Sequence, residues 1–234
     1  NKKAGLFLNG CHDIVVNANH FEENQDALTC VDAFNLCMNG NNIDDHLGNG
    51  VIIENTYGSV VSGNMIEECN GTAIILDRDC YGITLSANVI AHDMGGGIDL
   101  RDAHGCTVSA NTFTLVHHFG VKVSGNSGRL TISANNFSNS HIGEGKEKRL
   151  LEHEDPVQLD IGHGIVLENT KNIAITGNQF SGLDGPAVRA TGTCDKVLIN
   201  SNVLTDLNRR TPESKTAFDL SPESKITLSD NLTD

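Results

Sequence analysis

Leu85-Ser86-Ala87-Asn88 is followed 23 residues later by Val108-Ser109-Ala110-Asn111, and 24 residues after that by Ile132-Ser133-Ala134-Asn135. Each reads as an apolar residue, a small or polar pair, then Asn. Upstream the pattern recurs at Val16–Asn19, Met38–Asn41 and Val61–Asn64, and downstream at Ile175–Asn178, Ile199–Asn202 and Leu228–Asn231. The Asn spacings are 22, 23, 24, 23, 24, 43, 24 and 29. A short alternating segment precedes many copies, as in Gly97-Ile98-Asp99-Leu100, Gly120-Val121-Lys122-Val123 and Gly164-Ile165-Val166-Leu167. A third apolar position follows most Asn by two: Phe21, Ile43, Ile66, Ile90, Phe113, Phe137, Phe180 and Leu204. Each unit of about 23 residues thus holds three strand-like pieces separated by turn residues. A unit this small cannot bury its own apolar face and must stack on its neighbours.

Composition agrees. Among 234 residues there are 24 Gly and 26 Asn, no Trp, and only 4% aromatics. Such a chain is poor in helix formers and rich in residues that accept left-handed backbone angles. The net charge of −14 argues against nucleic acid or an anionic membrane as partner. No apolar run reaches the ~20 residues of a membrane span. The seven cysteines lack paired spacing and suggest neither a disulfide framework nor a zinc site. Cys11, Cys80 and Cys194 fall in a column otherwise held by Ala, Thr and Ser, and are expected as buried spacers; Cys30 and Cys106 fall in core columns. The repeated Asn is expected in a turn, in left-handed geometry, with a side-chain ladder.

These repeats resemble those of the right-handed parallel β-helix, the fold of pectate lyases, polygalacturonases, mannuronan epimerases and phage tailspikes. The resemblance covers nearly the whole chain. It implies an all-β, single-stranded right-handed solenoid of about nine coils forming one domain over residues 1–234. Two irregular spacings predict a long loop near 139–162 and a shorter one near 205–216. The sequence opens directly in a coil and stops one turn after the last repeat, so a piece of a longer chain, or a capping segment or subunit at the coil ends, is expected. The family suggests a secreted or cell-envelope protein, whose leader would lie outside this sequence.

In the enzymes of this fold, substrate lies along the outer face of the first strand. Alternation reads that face here as Phe7, Thr29, Ile52, Ile75, Asp99, Lys122, Val166, Arg189 and Asp219, with Glu54, Asp77 and Arg101 in the next outward column. Charge gathers in the middle coils. Asp77, Asp99, Arg101, Lys122 and His118 are the candidate catalytic residues. Glu54, Arg78, His92, Asp93, His117 and Arg189 are candidate substrate contacts. Two carboxylates at ~5–9.5 Å suit glycoside hydrolysis, and Asp77 with Asp99 is the candidate pair. Elimination from a uronate would instead use Lys122, Arg101 or His118, with Ca²⁺ on Asp77, Asp79 and Glu54 as an alternative neutraliser. No cofactor is required. Stacked opposite charges also suit any solvated solenoid face, which leaves a non-catalytic glycan-binding or scaffold module as the third reading.

Family motifs are incomplete. Ile161-Gly162-His163-Gly164-Ile165 resembles the Gly-His-Gly of polygalacturonases, but the Asp and Arg-x-Lys elements that accompany it there do not line up. The Asp-Pro-His of mannuronan epimerases is missing. A polysaccharide or oligosaccharide is the expected partner, and the acidic balance favours a neutral or weakly charged one.

Overall fold

Three parallel sheets run the length of the chain, each receiving one strand from every coil. The computed structural model describes residues 2–138, 162–209, 213–214 and 216–233. The first sheet has nine strands, from Leu6–Asn9 to Phe218–Leu220. The third also has nine, from His20–Glu22 to Leu232–Thr233. The second runs from His12–Asn17 to Lys225–Ser229 and carries two additional short strands, Cys80–Tyr81 and Ala103–His104. There is no α-helix among the described residues. The long loop expected near 139–162 lies, up to residue 161, outside the described residues.

The repeat sets the register because identical positions stack. In the first sheet Leu28, Val51, Ile74, Ile98, Val121, Ile165 and Val188 are successive partners, and each is fully buried. Burial of one such side chain contributes ~1.5–3 kcal/mol. Because every coil shares its faces with the next, the cores merge into one continuous cluster. The third apolar position forms its own column in the third sheet, in the order predicted.

Within that column Phe113, Phe137 and Phe180 stack face to face, with centroids 4.7 Å apart and planes 3° from parallel. Glycines make room for them. A Cβ on Gly97, Gly120 or Gly164 would run into the rings of Phe113, Phe137 and Phe180 respectively, and into a carbonyl of the next coil. Large interior rings and a glycine column across from them are therefore one device.

The repeated Asn is not itself left-handed. That conformation belongs to the residue before it: Ala18, Gly40, Gly63, Ala87, Ala110, Ala134, Gly177, Ser201 and Asp230 all have φ between 52° and 64°. The turn of the chain at that residue swings the Asn side chain inward, where Asn41, Asn64, Asn88, Asn111, Asn135, Asn178 and Asn202 are at most 2% exposed. Each Oδ1 accepts from the backbone N–H and the Nδ2 of the Asn one coil earlier, from Asn19 through to Asn231. Nδ2 also donates to a carbonyl of the preceding coil, as Asn88 does to Val61 at 3.1 Å. The ladder satisfies backbone groups that a tight corner would otherwise leave buried and unpaired.

The cysteines are free thiols. Cys30, Cys80, Cys106 and Cys194 are buried as expected, whereas Cys11 is only half-buried because it lies in the outermost described coil, which has a neighbour on one side alone. Burial pushes the Cys80 thiol up to about 12, so it stays protonated and inert.

Candidate functional site

Alternation placed nine residues on the outer face of the first sheet, and the pairing bears out that column from Phe7 through Asp99 and Lys122 to Arg189 and Asp219. Its depth was not readable from the sequence. Phe7, at one end, is 61% exposed, but Ile75 is 3% and Asp99 7% exposed. The middle of the face is therefore far less exposed than its end.

Five of the expected residues meet there. Arg101 Nε donates to Asp99 Oδ2 at 2.8 Å, and its Nη1 lies 3.7 Å from Asp77 Oδ2. Arg78 Nη1 donates to Glu54 Oε2 at 2.7 Å, and the backbone N–H of Arg78 donates to Asp77 Oδ1 at 2.8 Å. Burial works against the Arg101 charge, but the hydrogen bond and charge of Asp99 outweigh it, with Asp77 behind them, so its pKa is raised. Asp99 Oδ1 is buried with no hydrogen-bond partner among the described residues. Asp77 and Asp99 are diagonal neighbours on adjacent strands, a relationship that separates Cα atoms by ~7–8 Å. Lys122 is the direct register partner of Asp99, yet its Nζ pairs with Glu168 Oε2 at 3.1 Å.

Beyond the strand lies a polar turn ladder. Asn55 Nδ2 donates to Asp32 Oδ1 and the Asp79 backbone N–H to Asp102 Oδ2, both at 2.8 Å. Asp32, Asn55, Asp79 and Asn169 have positive φ, the role their short polar side chains suit.

The turn before the strand needs a correction. Asp93 does not reach the outer face as a substrate contact: it is 0% exposed, while His92, at 8%, places its Nδ1 3.7 Å from Glu68. Asp93 belongs to an inward column with His46 and Cys69, both fully buried. The backbone N–H of Cys69 donates to Asp93 Oδ1 at 3.0 Å, and that of Asn24 to His46 Nδ1 at 3.2 Å. A turn has no fixed alternation, so neighbouring residues such as Glu68 and Cys69 divide between solvent and core. Burial pushes the Asp93 carboxyl well up and the His46 imidazole down. His117 is half-buried, and His118 is exposed with φ 62°, four residues before Lys122 on the same strand.

His163, within the Gly-His-Gly stretch, lines a cavity of about 350 Å³ with Asp184, Pro186, Arg189, Asn208 and Asp219. Arg189 Nε donates to Asp219 Oδ2 at 2.9 Å, and its Nη1 donates to His163 Nε2 at 2.8 Å. Accepting at Nε2 leaves the ring proton on Nδ1. Burial first, and the Arg189 charge second, lower the His163 pKa to about 4. The imidazole is seated over Gly185, where any Cβ would collide with Nδ1. The Gly-His-Gly stretch was the available signal; the partner residues come from two later coils.

Among described His, Cys, Asp and Glu side chains, the atoms close enough together to share a metal ion belong to the exposed or half-buried His20, Glu22 and Asp44. No helix of the described residues is long and apolar enough to cross a membrane.

Known structures resemble this chain at low identity. A periplasmic alginate epimerase, AlgG, superposes with a TM-score of 0.74 at 16% identity, covering 92% of this chain and 49% of its own. A DFA-IIIase from Arthrobacter chlorophenolicus A6, in complex with GF2, gives 0.67 at 18%, covering 93% and 54%. An alginate lyase from Paenibacillus sp. str. FPU-7 gives 0.51 at 10%, covering 88% and 76%. The chain spans about half the length of the first two. No curated protein sequence matches it. The right handed beta helix region matches residues 1–137 and 72–234, and the chain belongs to that family.

Proposed function

We propose that this protein holds a polysaccharide or oligosaccharide along the outer face of the first sheet and hydrolyses a glycosidic bond over Asp99. The observation that carries the reading is the environment of that residue. Its side chain is 10% exposed on a face that should be solvated, with Oδ2 held by Arg101 and Oδ1 without a partner among the described residues. A half-satisfied buried carboxylate is costly, and such groups concentrate where chemistry is done.

Asp99, fixed in orientation by Arg101, serves as the carboxylate that attacks the sugar or activates water. Asp77, more exposed at 32%, is the second carboxylate of the pair. Their diagonal placement suits the ~5–9.5 Å needed by such a pair. The similar structures named above include an alginate epimerase, an alginate lyase and a DFA-IIIase, which supports a carbohydrate substrate. The periplasmic neighbour supports a secreted or envelope location, and the net charge of −14 favours a neutral glycan over a polyuronate.

Incubation with glucans, fructans and alginate, followed by mass spectrometry, tests this. Products that have gained one water per cut, lost in Asp99→Asn with the fold intact, are expected. Unsaturated products would replace hydrolysis by elimination, with Arg101 and Lys122 neutralising a uronate. No products from a folded chain would leave a binding module.

A further inference from the structure

Asp99 and Lys122 are direct partners in register on neighbouring strands, in one outward column of the first sheet. With strands ~4.8 Å apart, a lysine stem is long enough to bring its ammonium onto the Asp99 carboxylate. It goes elsewhere. Lys122 Nζ turns the other way, to Glu168 Oε2 at 3.1 Å on the next strand. We propose that Glu168 is a positioning residue for the reaction over Asp99: it draws the Lys122 ammonium aside and keeps Asp99 Oδ1 open to water or sugar. The proposal rests on the reading above.

Hydration explains which carboxylate the lysine takes. Lys122 pairs in register with Val166, and Glu168 lies two residues further along that strand, on the same face. Glu168 is thus the diagonal neighbour of Lys122, within reach of a long side chain. An ammonium is strongly hydrated, and the Glu168 side chain is 39% exposed where that of Asp99 is 10%. Pairing with Glu168 therefore strips less water from Lys122. Asp99 Oδ2 is also engaged already, by Arg101 Nε at 2.8 Å.

Without Glu168 that balance reverses. Lys122 is flanked in register by Asp99 on one side and Val166 on the other. Once Glu168 is neutral, Asp99 is the carboxylate left beside it. An ammonium at Oδ1 would occupy the atom that has to approach the sugar or activate water. It would also favour the charged form of Asp99 and so weaken it as a base or nucleophile. The penalty falls on the chemical step and so on kcat, with KM little changed.

Two measurements test this. On a cleaved glycan, Glu168→Gln is expected to lower kcat about tenfold with KM little changed. Combining it with Lys122→Met should recover most of the loss. A Glu168 that only supports the fold would not be rescued by a second lesion beside it. Crystal structures of the parent and of Glu168→Gln read the same point without activity: the Lys122 ammonium should move to hydrogen-bond distance of Asp99 Oδ1. Unchanged kcat in Glu168→Gln, no recovery in the double variant, or a Lys122 that stays off Asp99 would overturn the proposal. The two proposals fail separately. Absence of products, with Lys122 shifted onto Asp99 in Glu168→Gln, overturns hydrolysis and leaves Glu168 as the residue that keeps Asp99 open. Products with an unshifted Lys122 overturn only the role of Glu168.

Discussion

Arg101 holds Asp99 from within the same strand end, Nε to Oδ2 at 2.8 Å, while reaching back one coil to Asp77 at 3.7 Å. A single guanidinium thus sets the orientation of one carboxylate and the distance to the other. A lysine ammonium lacks the planar fork to do both. Arg101→Lys is expected to lower kcat on a cleaved glycan about tenfold, and Arg101→Met at least a hundredfold, with KM little changed. Arg101→Met should also lower thermal stability, because the Asp99 carboxylate, only 10% exposed, loses its partner. Equal activity in Lys and Met variants would show that the arginine only decorates the surface.

The Asn ladder should dominate stability. Asn88→Ala would leave the Asn64 amide and backbone N–H without their acceptor and the Val61 carbonyl without a donor. Buried groups left unpaired cost ~1–3 kcal/mol each, so a loss of about 3 kcal/mol in urea unfolding is expected. Ser86→Ala, whose hydroxyl lies two residues earlier and is half-buried, should cost under ~0.5 kcal/mol.

Gly120→Ala should fail for a steric reason. The new Cβ would meet the Phe137 ring and the Gly164 carbonyl. Overpacking of this kind costs ~1–3 kcal/mol. Adding Phe137→Leu should recover part of that loss, which a purely conformational effect at Gly120 would not allow.

His163 gives stability an acid limb. Its pKa is about 4 in the fold and ~6.5 when unfolded. Below pH ~6.5 the unfolded chain binds a proton that the folded chain refuses, so stability falls as pH drops toward 4. His163→Gln should flatten that limb in urea titrations; an unchanged slope would show the ring to be solvated.

Asp93 acts in the opposite sense. Burial raises its pKa above the ~3.9 of an unfolded aspartate. As pH rises past that value the unfolded chain loses a proton the folded one keeps, and stability declines. Asp93→Asn is expected to remove this decline and to be at least as stable as the parent at pH 7.

The coil period, three strands per coil, the interior columns and the outward face from Phe7 to Asp219 were legible in the sequence, because strand alternation has a fixed period of two and stacked repeats copy it. The Asn ladder was legible too, although its left-handed residue proved to be the one before the Asn. Turns obey no such period. That is why Asp93, read as a substrate contact, is inside, and why the burial of Asp99 was invisible. The cavity was beyond reach for another reason: His163, Arg189 and Asp219 are 26 and 30 residues apart, and only the stacking of three coils, with a glycine at 185 to admit the imidazole, brings them to one place.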